Sequence, residues 1–225
     1  MARLIYPRLA ASFIALLFLA LIALFVLISV DIIGHAFRKL GFPPEYSVAL
    51  LLLSLLGSYV NIPVKEIRSR VSMVSLQAID FYWFRHLLPP LEVERRTTIA
   101  VNLGGAVIPV AISCFLITRV NLADVVIGVS IMTILVHMMA RPVKGLGIAV
   151  PALLPPIFAA LVALIISPND APMIAYISGT LGSLIGADLL NLKKIPELGT
   201  SVASIGGAGT FDGIFLTGII SVLIA

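Results

Sequence analysis

Charge is what this chain has least of. Of its 225 residues, 12% are Asp, Glu, Lys or Arg and 60% are hydrophobic, with a mean hydropathy of +1.14. Soluble globular chains carry roughly 25% charged residues. Here the charge is missing from long runs, which excludes a water-soluble domain and describes a chain written for lipid. Cysteine is nearly absent as well: Cys114 stands alone inside an apolar run, so neither an intrachain disulfide nor a cysteine metal site can form. The sequence has no phosphate-cradling glycine loop, no His-Glu-x-x-His pair and no Gly-x-Ser-x-Gly elbow. Those absences argue against an ATP-driven pump, a zinc protease and an α/β-hydrolase, and neither a metal nor a cofactor is expected. The net charge of +4 comes from cations gathered in the connections between apolar runs. Such a distribution encodes topology, so the expected partner is the lipid bilayer and not nucleic acid.

A hydrocarbon core of about 30 Å takes ~20 apolar residues per helix. Seven stretches qualify: 9–30, 46–63, 99–118, 122–140, 147–167, 172–192 and 203–225. Barrel strands would be about ten residues of alternating character, which these are not. The expectation is an all-α, multi-pass bundle of about seven transmembrane helices, forming one integral domain over residues 1–225 in the cell membrane. The first stretch follows Arg3 and Arg8 and ends without a small-x-small cleavage site, so it reads as a retained span. Assigning Lys and Arg to alternate sides of seven spans places 12 on the side of the N-terminus and 3 on the other. The positive-inside rule then puts the N-terminus in the cytoplasm and the C-terminus outside. In the long connection 64–98, helical spacing near 71–88, with Phe81, Tyr82, Trp83 and Phe84 beside Arg85 and His86, suggests an interfacial helix stopped by Pro89 and Pro90.

Against this apolar background two acids stand out, Asp188 and Asp212, each in one of the last two stretches. A carboxylate in hydrocarbon costs several kcal/mol unless offset, so each marks a functional hypothesis. With the topology above, Asp188 lies about 7–8 Å and Asp212 about 12 Å from the cytoplasmic boundary, on antiparallel helices. Asn61, Asn102, His137, Arg141 and Asn191 fall toward the same side. Together they suggest a cytoplasm-connected cavity; singly, Asn61, Asn191 and Arg141 fit a water boundary, Asn102 an interhelical hydrogen bond, and His137 a packed side chain. Gly179, Gly182 and Gly186 precede Asp188, and Gly206, Gly207, Gly209 and Gly213 surround Asp212. Such glycines serve either close helix packing or the unwound backbone of an ion or substrate site. The candidate catalytic residues are Asp188 and Asp212, with Asn102, Gly186, Gly209, Gly213 and Pro151 as candidate substrate-binding positions.

The segments GSYVNIPV, NLGGAVIPV, GLGIAVPALLPP, IGADLLNL and GGAGTFDGIFLTG resemble an uncharacterised family of multipass membrane proteins from archaea and bacteria. That resemblance implies no particular activity. Asp188 and Asp212, with Pro151, Ala152 and Leu153, also resemble the presenilin-type intramembrane aspartyl proteases. That family implies one Asp on span six and one on span seven. The departures are Gly209-Thr210-Phe211 where the family has Gly-x-Gly before the second acid, Ala187 where it has Tyr before the first, and a Pro-Ala-Leu that precedes both acids.

Three readings follow. An aspartyl-protease-like hydrolase would share one proton between two close carboxylates and cleave a transmembrane peptide. An ion-coupled secondary carrier would use the same acids and glycine-broken helices to bind a small ion or solute. A structural role would satisfy each acid with Asn, His137 or Arg141. The placement of two acids on adjacent antiparallel helices at nearly one depth favours the hydrolase.

Overall fold

The computed structural model describes residues 8–73, 91–143, 147–198, 200–207 and 213–225. Among them are seven α-helices: α1 (Arg8–Lys39), α2 (Pro44–Gly57), α3 (Ile108–Ile117), α4 (Leu122–Met139), α5 (Leu154–Ile166), α6 (Ala171–Ser183) and α7 (Gly213–Ile224). Three helical stretches are long and apolar enough to cross a membrane: Leu17–Lys39, Leu122–Met139 and Ala171–Ile195. The other helices, α2, α3, α5 and α7, have 14, 10, 13 and 12 residues. At 1.5 Å per residue they reach about 15–21 Å, short of the ~30 Å core. Seven spanning helices are therefore not what forms.

The all-helical expectation also gives way to strands. Apolar character runs on where the backbone changes type, and hydropathy alone does not register the change. The stretch 46–63 stops being helical at Gly57 and enters β1 (Asn61–Met73). The stretch 99–118 begins inside β2 (Leu91–Asn102), continues through a π-helical turn, Leu103–Val107, and only then becomes α3. Likewise 147–167 opens on β4 (Gly147–Ala149), and 203–225 opens inside β5 (Val202–Ile205). Residues 71–73 of the expected interfacial helix belong to β1, and the remainder of that helix lies outside the described residues.

β1 pairs antiparallel with β2 from Asn61↔Asn102 to Met73↔Leu91, and β2 pairs parallel with β5 from Thr98↔Val202 to Val101↔Ile205. Pro63 has no N–H to give a ladder; it sits on the edge strand, at a register shift between Pro63 and Lys65. β3 (Arg141–Val143) and β4 form a second, two-stranded ribbon.

α6 is the central helix, packed by α4, α5 and α7, with Ile174, Tyr176 and Ile177 fully buried. Its apolar window is 67% buried, against 6% for α1, so α6 is enclosed by protein and α1 offers its length to lipid. Large apolar side chains face outward elsewhere too, among them Met138 and Ile165. An exterior of that kind suits hydrocarbon and not water. The α4–α6 crossing is close because Gly182 has no side chain: a Cβ there would stand 2.5 Å from that of Met132.

Lys39 Nζ donates to the carbonyl of Val222 at 3.3 Å, so the C-terminal ends of α1 and α7 meet. Phe37, Phe42 and Phe115 stack nearby, with the Arg119 guanidinium 4.3 Å from the Phe115 centroid. The strands gather at the opposite end. Four of the seven helices thus stop short of the bilayer thickness.

Candidate functional site

α6 does not end cleanly. It widens into a π turn, Leu184–Asp188, and then tightens into a 3-10 segment, Leu189–Leu198. A π turn releases backbone groups from the i→i+4 ladder and is frequently found at functional sites. The Gly186 carbonyl in this turn accepts from Asn191 Nδ2 at 3.2 Å and lies 3.1 Å from His137 Nδ1. His137 Nδ1 also lies 3.4 Å from Asn191 Nδ2, so the imidazole, the amide and the carbonyl form one cluster. Asn191 Nδ2 also donates to the Ala187 carbonyl at 2.9 Å. The turn is held open by side chains from α4 and from the 3-10 segment.

Asp188 closes the π turn and is half-buried. Its Oδ2 accepts the backbone N–H of Gly206 at 2.7 Å, which ties the end of α6 to the end of β5. Gly206 has φ of +85°, and a Cβ there would stand 2.5 Å from that of Ala106. Only glycine suits both that left-handed backbone and that close approach. Among the described residues no donor reaches Asp188 Oδ1.

Asp188 lines a cavity of about 570 Å³ built from the π turn, α7, β4 with the segment following it, and β5. Pro151, Ala152 and Val202 are exposed at its rim. Its polar groups are Asn61, Ser183, Asp188, Thr200, Ser204 and Thr217, and the rest of the lining is apolar or glycine. Among the described lining residues there is one carboxylate and no basic side chain. Ser183 Oγ and Thr200 Oγ1 are buried without a hydrogen-bond partner among the described residues. Thr217 Oγ1 donates to the Gly213 carbonyl. Behind the lining sits a polar knot. Asn61 Oδ1 accepts from Ser204 Oγ and, at 3.1 Å, from Asn102 Nδ2; Asn102 Nδ2 also donates to the Ser58 carbonyl at 2.7 Å, and Asn102 Oδ1 accepts Gly105 N–H at 2.7 Å. Asn102 thereby caps the π turn that precedes α3.

Of the residues singled out from sequence, Asp188, Gly213 and Pro151 line this cavity. Asn102 stands one hydrogen bond behind it, through Asn61. Gly186 contributes its carbonyl to the turn, while its Cα packs against α4, where a Cβ would be 2.6 Å from the Thr133 carbonyl. Arg141 is exposed on β3. Asp212 and Gly209, and with them the expected aspartate pair, lie outside the described residues. Sequence reasoning passed over Ser183. It stands five positions before Asp188, about 140° away on a regular α-helix, yet both residues line the cavity.

An apolar exterior, three helices able to cross a bilayer, and a cavity where helices and strands meet describe a membrane-associated, mostly helical protein. Residues 55–224 match the family described as Protein of unknown function (DUF1614), and the chain belongs to that family. The matched segment contains every described lining residue. No curated protein and no solved structure matches the chain. The likeness to presenilin-type proteases finds no support in these comparisons, and the seven-span topology that it drew on is not the one that forms.

Proposed function

We propose that the protein is an integral membrane carrier whose solute- or ion-binding group is Asp188. The observation that carries this reading is a single carboxylate, free on one oxygen among the described residues, in a cavity where α6 is broken by a π turn. Broken helices at a binding site are a recurring device of secondary transporters, because they free carbonyls and termini to meet the ligand. The hydrolase reading needs a second carboxylate close enough to share a proton with the first. The carrier needs only the one carboxylate that the described lining holds, Asp188, beside a broken helix.

The cavity lies at the strand-bearing end, where β1, β2, β3 and the 3-10 segment carry Lys65, Arg68, Arg70, Arg95, Arg96, Arg141, Lys193 and Lys194. The other end has Arg38, Lys39 and Arg119. On the positive-inside rule the cavity faces the cytoplasm, with the N-terminus inside and the C-terminus outside. The test is electrometry on proteoliposomes. Among jumps in organic cations, sodium and protons, at least one is expected to give a charge-displacement current that Asp188→Asn abolishes, while single-span peptide helices stay uncleaved. Currents unchanged in Asp188→Asn, or Asp188-dependent peptide cleavage, would refute the carrier.

A further inference from the structure

We infer that the cavity takes an organic ammonium, a small molecule with one cationic N–H end and an apolar body. The inference rests on the carrier reading for transport and on the cavity alone for binding. A space of about 570 Å³ falls in the range of small-molecule sites, roughly 300–1,000 Å³. A bare cation instead calls for a tight cage of about six or more oxygens, and most of this lining is apolar. Charge sets the sign of the ligand. With Asp188 as the one ionisable side chain among the described lining residues, an anion or zwitterion would leave a negative group unpaired, whereas a monocation is neutralised.

Hydrogen bonding sets the ligand's polar end. Ser183 and Thr200 line the same cavity as Asp188, and their buried hydroxyls, like Asp188 Oδ1, have no partner among the described residues. Ser183 is only 5% exposed, so its hydroxyl is desolvated and still unpaired, as suits a group reserved for a ligand. The carboxylate of Asp188 accepts from the N–H donors of a primary ammonium. The apolar walls, such as Val136, Ile148 and Ile214, receive the hydrocarbon part.

The experiment is titration calorimetry on the full chain in detergent with phenethylammonium, its neutral counterpart 2-phenylethanol and the anion 3-phenylpropionate. The amine is expected to bind about 10- to 100-fold more tightly than the alcohol, the range for a charge-assisted hydrogen bond. Asp188→Asn brings the two together. Ser183→Ala weakens the amine alone, and because it deletes a hydroxyl with no partner it keeps the test decisive should Asp188→Asn misfold. Equal binding of amine and alcohol, tighter binding of the anion, or amine affinity indifferent to Ser183→Ala and Asp188→Asn overturns the inference. Asp188-dependent sodium currents without amine binding overturn it and leave the carrier standing. Amine binding with no amine counterflow in liposomes upholds it and removes the carrier.

Discussion

Replacing Asn102 by aspartate exchanges one NH2 group for one oxygen and leaves volume unchanged, yet the knot around Asn102 predicts a severe loss of stability. The side chain is 1% exposed. Its carbonyl oxygen accepts from Gly105 N–H, and its nitrogen is 2.7 Å from the Ser58 carbonyl and 3.1 Å from Asn61 Oδ1, two acceptors. One donor on one side and two acceptors on the other fix the amide's orientation. Aspartate keeps the first bond and turns the other two into oxygen–oxygen contacts in a desolvated site. Each buried group left unpaired costs about 1–3 kcal/mol, so the sum is about 4 kcal/mol before any like-charge repulsion. Asn102→Ala forfeits the cap and the two donors without introducing repulsion, for about 3 kcal/mol. The wild type should therefore be the most stable, alanine intermediate and aspartate the least. At 2–4 °C per kcal/mol for a chain of this size, Asn102→Asp lowers Tm by about 10 °C in a circular-dichroism melt in detergent. An aspartate variant that melts with the wild type, or above the alanine variant, would refute the donor–acceptor assignment and with it the capping of the π turn before α3.

Gly182→Ala places a methyl group 2.5 Å from Met132 Cβ, and a loss of about 1–3 kcal/mol is expected in the same melt; an unchanged Tm would contradict the close α4–α6 crossing. Ser183→Ala acts the other way. Deleting a buried hydroxyl with no partner among the described residues should leave the ligand-free protein as stable as the wild type or up to about 1 kcal/mol more so, and a marked loss would mean that the hydroxyl is engaged. In a Cys114→Ser background, Lys193→Cys should react with impermeant maleimide from the cytoplasmic face and Arg119→Cys from the outer face, and the reverse pattern would invert the topology. Native Cys114, exposed on α3, should resist polar maleimides in vesicles and react with them in denaturant; rapid labelling in vesicles would place that face in water.

Some of this architecture could be read from the residues. The stretch 122–140 became α4 almost to the residue, because Asn121 caps it, its side chain accepting Ala123 N–H at 2.9 Å, and no strand intervenes. Asp188 was legible because an acid in an apolar run is too costly to be incidental. The strands were not. Segments such as Thr97–Val101 and Val202–Ile205 are apolar or β-branched on both sides of a helix boundary, and a hydropathy window merges them with the helices that follow. The place of Ser183 in the cavity lining was hidden for a related reason: the chain leaves regular α-helix just after it in a π turn, which no residue pattern announces. Asn102, singled out as a substrate-binding position, is a cap whose hydrogen bonds stand behind the described lining.

Thr97 Oγ1 donates to the Thr200 carbonyl across a separation of 103 residues, and the parallel pairing of β2 with β5 spans the same gap. Strands so far apart in sequence associate late, after the long loop between them is closed. During biosynthesis the chamber therefore stays unassembled until the ribosome has passed the fifth strand, and until then β2 presents a bare edge. A nascent chain arrested upstream of that point would be a natural target for membrane quality-control proteases, so abundance in cells should fall sharply for any lesion that delays the joining of these two strands.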